Sequence, residues 1–187
     1  MRPLRIQAAH TTYHVTCRGN RQEEIVRDDA DRNRFVAIVR DVVVRRQWIC
    51  HAYCLMTNHY HLLITTPAPD IAIGMHAINH LAARTFNKRH GYKGHLFERR
   101  YNSPLVETEA HLLETLRYIA LNPVRAGLCE RPQDWPWSSY RAAVGLAPVA
   151  DFVSVDPTLE LFSDRRETAQ RLLHEFVNDP LVEARAA

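Results

Sequence analysis

The sequence predicts an α+β fold of the ferredoxin-like type, a split β-α-β-β-α-β pattern with a four-stranded antiparallel sheet. Stretches 11–17, 48–56 and 59–65 are rich in β-branched and aromatic residues, which is typical of strands. Stretches 28–46 and 71–90 instead repeat apolar residues every three or four positions, which is typical of helices. A turn at 57–58 is short enough to join two neighbouring strands as a hairpin.

The first half of the pattern has clear boundaries. Thr11 to Cys17 is the first strand, and the first helix follows with Asp28 or Asp29 as its N-cap. Its apolar residues recur at the spacing of one buried helix face. Trp48 to Met56 and His59 to Thr65 then form the hairpin.

The second half repeats the order of helix and strand. Ile71 to His90 is helical, and Gly91 ends the helix. Tyr101 to Glu107 reads as the fourth strand, interrupted at Pro104. Both helices are expected on one face of the sheet, which leaves the other face open for a site.

Additional helices follow the sheet. A third helix is expected from Thr108, its N-cap, to Leu121, because proline disfavours helix at the residue before it. Asn122 would then cap a short helix starting at Pro123. A turn at 135–140 leads into another short helix, the proline-containing stretch 147–157 suggests a linker, and 167–178 is amphipathic. We therefore divide the chain into a domain at 1–146 and a linker with a C-terminal helical extension at 147–187.

Composition indicates a globular protein. The 187 residues are 46% hydrophobic and 24% charged. No run of 18 apolar residues predicts a membrane span, and the N-terminus lacks the apolar segment of a secretory signal. The four cysteines lack the spacing of zinc knuckles, so we expect reduced, structural thiols in a cytoplasmic protein.

Basic residues are unevenly distributed. Although the net charge is only +3, stretch 84–100 contains six Lys and Arg side chains against one Glu. Nearly all the basic residues are Arg, whose guanidinium binds phosphate bidentately. This favours contact with nucleic acid over a merely solvated surface.

Four residues suggest a metal-assisted reaction. His59 and His61 are two positions apart on one strand, so both project from the same face. They are either half of a metal site or polar residues on the wetter face of the sheet. Tyr118 and Asn122 share one face of the third helix, although a packed ring and an N-cap would explain them as well. All four converge if this helix lies across the open face.

Several sequence blocks resemble one known family. Thr57-Asn58-His59-Tyr60-His61-Leu62-Leu63 resembles the HUH motif of single-strand DNA endonucleases. Residues 94–101, 118–128 and 134–140 resemble blocks of the REP-associated tyrosine transposases (RAYT), a branch of the single-tyrosine HUH transposases. The likeness extends from Tyr13 to Tyr140 in the right order, and it departs only at Tyr60, where a bulky apolar residue is usual.

The resemblance implies a metal-dependent single-strand DNA endonuclease and strand transferase. Tyr118 would be the nucleophile that forms a 5′-phosphotyrosine, and His59, His61 and Asn122 would bind Mg²⁺ or Mn²⁺. The partner would be single-stranded DNA with a REP-like hairpin, bound over the sheet by a monomer or homodimer away from any membrane. With DNA over the sheet, the candidates for phosphate contacts are the basic residues Arg84, Lys88, Arg89, Lys93, Arg99, Arg100 and Arg125. Arg18 and Asn20, at the end of the first strand, either read base edges near the foot of the hairpin or form a plain turn with Arg18 in solvent.

Two other functions remain open at this point. A protein with this fold could bind DNA repeats as a structural or regulatory factor without cutting them. The intact set of Tyr118, Asn122 and two histidines favours the enzyme. A ferredoxin-like RNA-binding domain would need exposed aromatic residues on its sheet, and Tyr13 and Tyr60 fit that requirement only in part.

Overall fold

The computed structural model describes residues 7–179 and has the expected α+β architecture. Four strands form one sheet in the order β2-β3-β1-β4, and all neighbouring strands are antiparallel. The strands are β1 (Thr11–Arg18), β2 (Ile49–Leu55), β3 (His59–Thr66) and β4 (Leu105–Val106). The helices are α1 (Asp29–Arg45), α2 (Ile71–His90), α3 (Glu109–Arg125), α4 (Tyr140–Ala143), α5 (Asp156–Leu159) and α6 (Arg166–Asn178).

One face of the sheet packs against α1 and α2. Tyr60 of β3 is fully buried there, and its ring centroid lies 5.0 Å from that of Phe35 on α1. The Tyr60 hydroxyl donates a hydrogen bond to Asn79 Oδ1 on α2 at 2.6 Å. This bond satisfies the phenol and explains how a tyrosine is tolerated at a position where the family usually has an apolar residue.

The opposite face of the sheet is partly covered by α3. Leu116, Ile119 and Ala120 are buried between this helix and the sheet. As expected, Thr108 caps the helix by accepting a hydrogen bond from the His111 amide at 3.1 Å. The third helix therefore crosses the face from which His59 and His61 project.

The predicted end of the third helix was wrong. Pro123 lies inside α3, which continues to Arg125. Gly127, with a φ of +67°, ends the helix, and the Leu128 amide donates back to the Pro123 carbonyl at 2.9 Å. Pro123 lacks the N–H that would donate to the Ile119 carbonyl, so the helix loses one backbone hydrogen bond, and Asn122 is an internal helix residue rather than a cap.

The fourth strand is shorter than expected. Only two residues form the regular β4 ladder, and the chain before them follows β1 irregularly. Asn102 exchanges backbone hydrogen bonds with Thr16, while the His14 amide donates to the carbonyl of Pro104. Proline cannot donate in return, which explains the interruption.

The segment 147–157 is not a free linker. Phe152 and Val153 are buried, and the Ser154 amide donates to the Cys50 carbonyl of β2 at 2.8 Å. The extra C-terminal helices are present as expected, and α6 packs against α3. Arg117 of α3 is only 2% exposed, and its guanidinium donates to the carbonyls of Val177 and Asp179 at the end of α6.

Three further expectations concern the cysteines, membrane-spanning helices and the division of the chain into two parts. All four cysteines are free thiols. Between residues 7 and 179, no helix is long and apolar enough to cross a membrane. The division of the chain at residue 146 stays a prediction.

Candidate active site

The two motif histidines lie at the start of β3, on the face that α3 crosses. His61 is 3% exposed, and the centroids of the His59 and His61 rings are 5.0 Å apart. On the neighbouring strand, Arg18 is the cross-strand partner of His59. Since directly paired residues project to the same face of a sheet, this exposed cation lies beside the histidines.

Each histidine is held through its Nδ1 atom. His59 Nδ1–H donates to Asn58 Oδ1 at 2.7 Å, and His61 Nδ1 lies 3.0 Å from His14 Nε2. The His14 ring also stacks on that of His61, with centroids 5.2 Å apart. Because an amide oxygen can only accept, the proton of neutral His59 is on Nδ1 and its lone pair is on Nε2. Either nitrogen can donate in the contact between His14 and His61, and when His61 Nδ1 donates, its Nε2 lone pair is also available to a ligand.

Asn122 lies opposite these lone pairs. Its Oδ1 atom is 3.1 Å from His59 Nε2, whereas His61 Nε2 is buried and has no hydrogen-bond partner within residues 7–179. Burial, opposed by the Asn122 amide, lowers the pKa of His59. Burial and the neighbouring His14 and His59 rings hold the pKa of His61 well below 6.5. The neutral His59 ring thus places its Nε2 lone pair against the Asn122 amide oxygen, and a cation bound between these two atoms would remove their repulsion.

These donors fit a divalent metal ion. Two imidazole nitrogens and one amide oxygen are ligands that Mn²⁺ or Mg²⁺ accepts, with water completing the coordination. Across the described part of the chain, no group of three or more His, Cys, Asp or Glu side chains could hold a metal. Asn122 would supply the third protein ligand of a metal at this position.

Tyr118 lies next to the histidines and is accessible. It precedes Asn122 by one helical turn and is 42% exposed. Its ring is edge-on to that of His61, with centroids 5.5 Å apart, and the Arg125 guanidinium carbon lies 5.4 Å from the phenol centroid. A solvent-facing phenol beside a cation and two imidazoles can act as a nucleophile, because the nearby cation stabilises its phenolate form.

The expected DNA-binding residues fall into two groups. Lys93 belongs with the residues of α2, because it follows Tyr92, whose ring stacks on that of Phe86. Arg18 and Asn20 lie where β1 ends, and the loop with Arg99 and Arg100 returns along that end of the strand. The Glu98 amide donates to the Arg18 carbonyl at 3.1 Å, and the Asn20 amide donates to the Leu96 carbonyl at 2.8 Å. Together with Arg125, these residues lie near the histidines or along the strand that leads to them.

The basic residues of α2 are not brought to the site. Arg84 and Lys88 line an open groove of about 610 Å³ beside Arg34 of α1, in the helical layer behind the sheet. Arg89 forms ion pairs with Asp28 and Asp31, at 2.7 and 2.5 Å. The sequence could not separate these groups, because a basic stretch along the chain does not show which side of a sheet each residue faces.

The sequence interpretation missed the two residues that hold the histidines. Asn58 directly precedes His59, so its position next to the motif was a usable signal. His14 is 47 residues away from His61, and its role depends on the register between β1 and β3. That register pairs Thr16 with His61 and therefore places His14 diagonally across the same face.

Comparison with known proteins agrees with this combination of fold and site. Residues 7–122 match the family model described as IS200-like transposase, so the chain belongs to this transposase family. A REP-associated tyrosine transposase of Haemophilus influenzae is 30% identical over 125 residues, which cover 60% of this chain and 70% of the relative. This likeness places the chain in the REP-associated branch of the family.

A solved structure of a REP-associated tyrosine transposase bound to a REP hairpin has a similar fold. The TM-score is 0.67, and the match covers 82% of this chain and 94% of the other. The sequence identity is 20%, so this comparison supports the fold alone.

Proposed function

We propose that this transposase is a metal-dependent endonuclease and strand transferase for single-stranded DNA with a REP-like hairpin. The observation that carries the proposal is the convergence of Tyr118, Asn122, His59 and His61 between β3 and α3. The sequence separates the histidines from the helix by about 60 residues, and the fold unites them. This convergence favours cleavage over binding alone, because DNA binding does not require a nucleophile next to side chains that can hold a metal.

Tyr118 would attack the scissile phosphate. Its phenolic oxygen gives up its proton to water and forms a bond to phosphorus, while the bond from phosphorus to the 3′-oxygen breaks and the leaving 3′-oxygen takes a proton from water. The products are a 5′-phosphotyrosine and a free 3′-hydroxyl. Because the phosphotyrosine retains a phosphodiester linkage, a 3′-hydroxyl can reverse the attack, so strand transfer needs no nucleotide cofactor.

The metal site would assist this step. A bound Mg²⁺ or Mn²⁺ supplies positive charge for the scissile phosphate and its transition state. Asn58 and His14 keep the histidine rings oriented, while Arg125 adds a fixed positive charge beside the phenol. These contacts preorganise the site before DNA arrives.

The proposed DNA partner follows from the relative and from the surface charge. The similar structure holds a REP hairpin, and this chain presents Arg18, Arg99, Arg100 and Arg125 close to its own site or along the adjacent strand. Phosphates would contact these guanidinium groups, and Asn20 would reach a base edge at the foot of the hairpin. A cytoplasmic location and a monomeric or homodimeric state stay predictions.

The direct test is a cleavage assay with a hairpin-containing single strand labelled at its 3′ end. With Mn²⁺, the wild type should convert the label to a protein-linked species on a denaturing gel, because the 5′-phosphotyrosine retains the 3′ fragment. Tyr118→Phe should remove this species and lower cleavage by at least about 1,000-fold. Hairpin binding should stay within about twofold, since the ring is kept.

Tyr92→Phe provides the matched control. Tyr92 is also exposed, but it contacts Arg27 and Phe86 in the helical layer, so its loss should not affect cleavage. Cleavage by Tyr118→Phe at a rate close to that of the wild type would assign the nucleophile to another residue. Tight hairpin binding by the wild type without any cleavage would instead support the non-cleaving repeat binder.

A further inference from the structure

The side chain of Asn58 makes two hydrogen bonds with different functions. Its Oδ1 atom accepts from His59 Nδ1–H at 2.7 Å, and its Nδ2 donates to the Gln22 carbonyl at 3.0 Å. One amide therefore connects a proposed metal ligand to the turn that follows β1. By contrast, His14 contacts His61 and Tyr118 on the sheet face.

The turn after β1, residues 19–23, has a strained backbone. Arg21 and Gln22 have φ values of +54° and +62°, in the left-handed region that residues with a Cβ seldom adopt. At Gly19 a Cβ would lie 2.1 Å from the Glu23 carbonyl oxygen, so only glycine fits. Strain of this kind persists where surrounding contacts enforce it, and it concentrates at binding sites.

The contacts that enforce the turn lead directly to the metal-binding motif. The Gly19 amide donates to the Asn58 carbonyl at 2.7 Å, and the Ile25 amide donates to the Thr57 carbonyl at 2.9 Å. The backbone of 19–25 is thus bonded to the two residues that precede His59. A displacement of the turn would be transmitted to the histidine through a very short path.

The exposed side of the turn suits a polyanion. Arg18 and Arg21 are exposed, and Arg18 lies beside His59 across the sheet. Asn20 adds an amide that can contact a base edge. Nucleic acid bound here would contact the same turn whose backbone is hydrogen-bonded to Asn58.

We propose that Asn58 is a positioning residue that couples occupation of turn 19–23 by hairpin DNA to the orientation of His59 toward the metal. The inference rests on the proposed function, because it requires both a metal and a hairpin. Through reciprocity, DNA at the turn should strengthen metal binding by the same factor by which the metal strengthens hairpin binding. The two polar atoms of the Asn58 amide then have different roles. Oδ1 orients the His59 ring, and Nδ2 links that ring to the position of the turn through the Gln22 carbonyl.

Calorimetric titration with Mn²⁺ tests this division. It is performed with and without a saturating hairpin that ends at its base-paired stem, so that no scissile phosphate can reach the ion. In the wild type we expect the hairpin to tighten Mn²⁺ binding by about fivefold or more, the lower range of measured couplings. Asn58→Ala should weaken Mn²⁺ binding about 10–100-fold and remove the hairpin effect.

Asn58→Asp is the informative variant, because a carboxylate still accepts from His59 but cannot donate to Gln22. It should bind Mn²⁺ at least as well as the wild type in the absence of DNA, yet show no tightening when the hairpin is added. His14→Ala is the matched control, since it should weaken Mn²⁺ binding but keep the tightening by hairpin. Circular dichroism of each variant verifies that it is folded.

Three results would overturn the coupling. A full hairpin effect in Asn58→Asp would show that Nδ2 does not link His59 to the turn, and unchanged Mn²⁺ binding in Asn58→Ala would show that the amide does not orient His59. If the wild type binds Mn²⁺ with the same affinity with and without the hairpin, the coupling is disproved while the proposed function stands. If the wild type binds no Mn²⁺ at all, both the coupling and the metal-dependent function fail.

Discussion

At the scale of single residues, the proposed metal ligands differ in how strongly the fold fixes them. His59 and His61 are each held by a hydrogen bond at Nδ1, whereas Asn122 contributes a neutral amide oxygen from the last turns of α3. We therefore expect His59→Ala and His61→Ala each to abolish Mn²⁺-dependent cleavage. Asn122→Ala should retain some activity and require more Mn²⁺, because an amide oxygen is the weakest of the three ligands.

The measurement is cleavage against Mn²⁺ concentration for the wild type and the three variants, with circular dichroism as the folding control. Since Asn122 is not a helix cap, its substitution should cost no capping energy. Wild-type cleavage by folded His59→Ala, or cleavage that survives EDTA, would show that no metal acts through these residues.

The residues around His59 and His61 show what the sequence can predict and what it cannot. The period of a strand was enough to place His59 and His61 on one face, and the period of a helix was enough to pair Tyr118 with Asn122. The contact of His14 with His61 depends on strand register, which neither period contains. Sequence patterns therefore indicated the four residues that the fold brings together, and tertiary structure was needed for the side chain that contacts His61.

At the scale of secondary structure, local rules predicted most helix boundaries and failed at one end of α3. Thr108 and Gly91 act as the predicted cap and stop. Pro123 does not end its helix, since the preceding turns are already buried against the sheet and the loss of one late hydrogen bond is tolerated. This continuation brings the Asn122 oxygen to His59.

The start of α1 is tied to the end of α2 by a charged cluster that gives stability a predictable pH dependence. Asp31, 5% exposed in its side chain, pairs with Arg89 at 2.5 Å and accepts from the Arg27 amide at 3.0 Å. Burial alone would raise the pKa of the Asp31 carboxyl. The hydrogen bonds from Arg89, Arg27 and His90 have the larger combined effect, so the pKa is lowered. A carboxylate with a lowered folded-state pKa stabilises the fold above its unfolded pKa of about 3.9, and the stabilisation is lost as pH falls through the folded value.

Asp31→Asn should accordingly reduce the free energy of unfolding by about 1.5–3 kcal/mol at pH 7, the usual contribution of hydrogen bonds to a charged group. The deficit should shrink as pH falls below about 4. Urea denaturation of both proteins at several pH values measures it, and Asp41→Asn on the exposed side of α1 serves as control. A deficit that stays constant with pH would mean that the ionised carboxylate is not the stabilising species.

At the scale of the whole molecule, the small net charge conceals two separate groups of cations. One group, with Arg99 and Arg100, lies in the loop that follows β1 toward the histidines, and the other, with Arg84 and Lys88, lies in the helical layer. The sheet separates the histidines from the second group, so we do not expect one short single strand in the site to contact that second group. Affinity for DNA should therefore depend on the first group much more than on the second.

Two double variants with the same change in charge test this asymmetry. Arg99→Gln with Arg100→Gln should weaken hairpin binding and lower the slope of log affinity against log salt by roughly 1.4, at about 0.7 for each lost contact with a single strand. Arg84→Gln with Lys88→Gln should leave both quantities nearly unchanged. Fluorescence anisotropy between 50 and 300 mM salt, roughly the range in which phosphate contacts dominate, gives the slopes. Equal losses in the two variants would mean that DNA extends around the edge of the sheet into the groove between α1 and α2, and an unchanged slope in the first would remove this loop from the DNA interface.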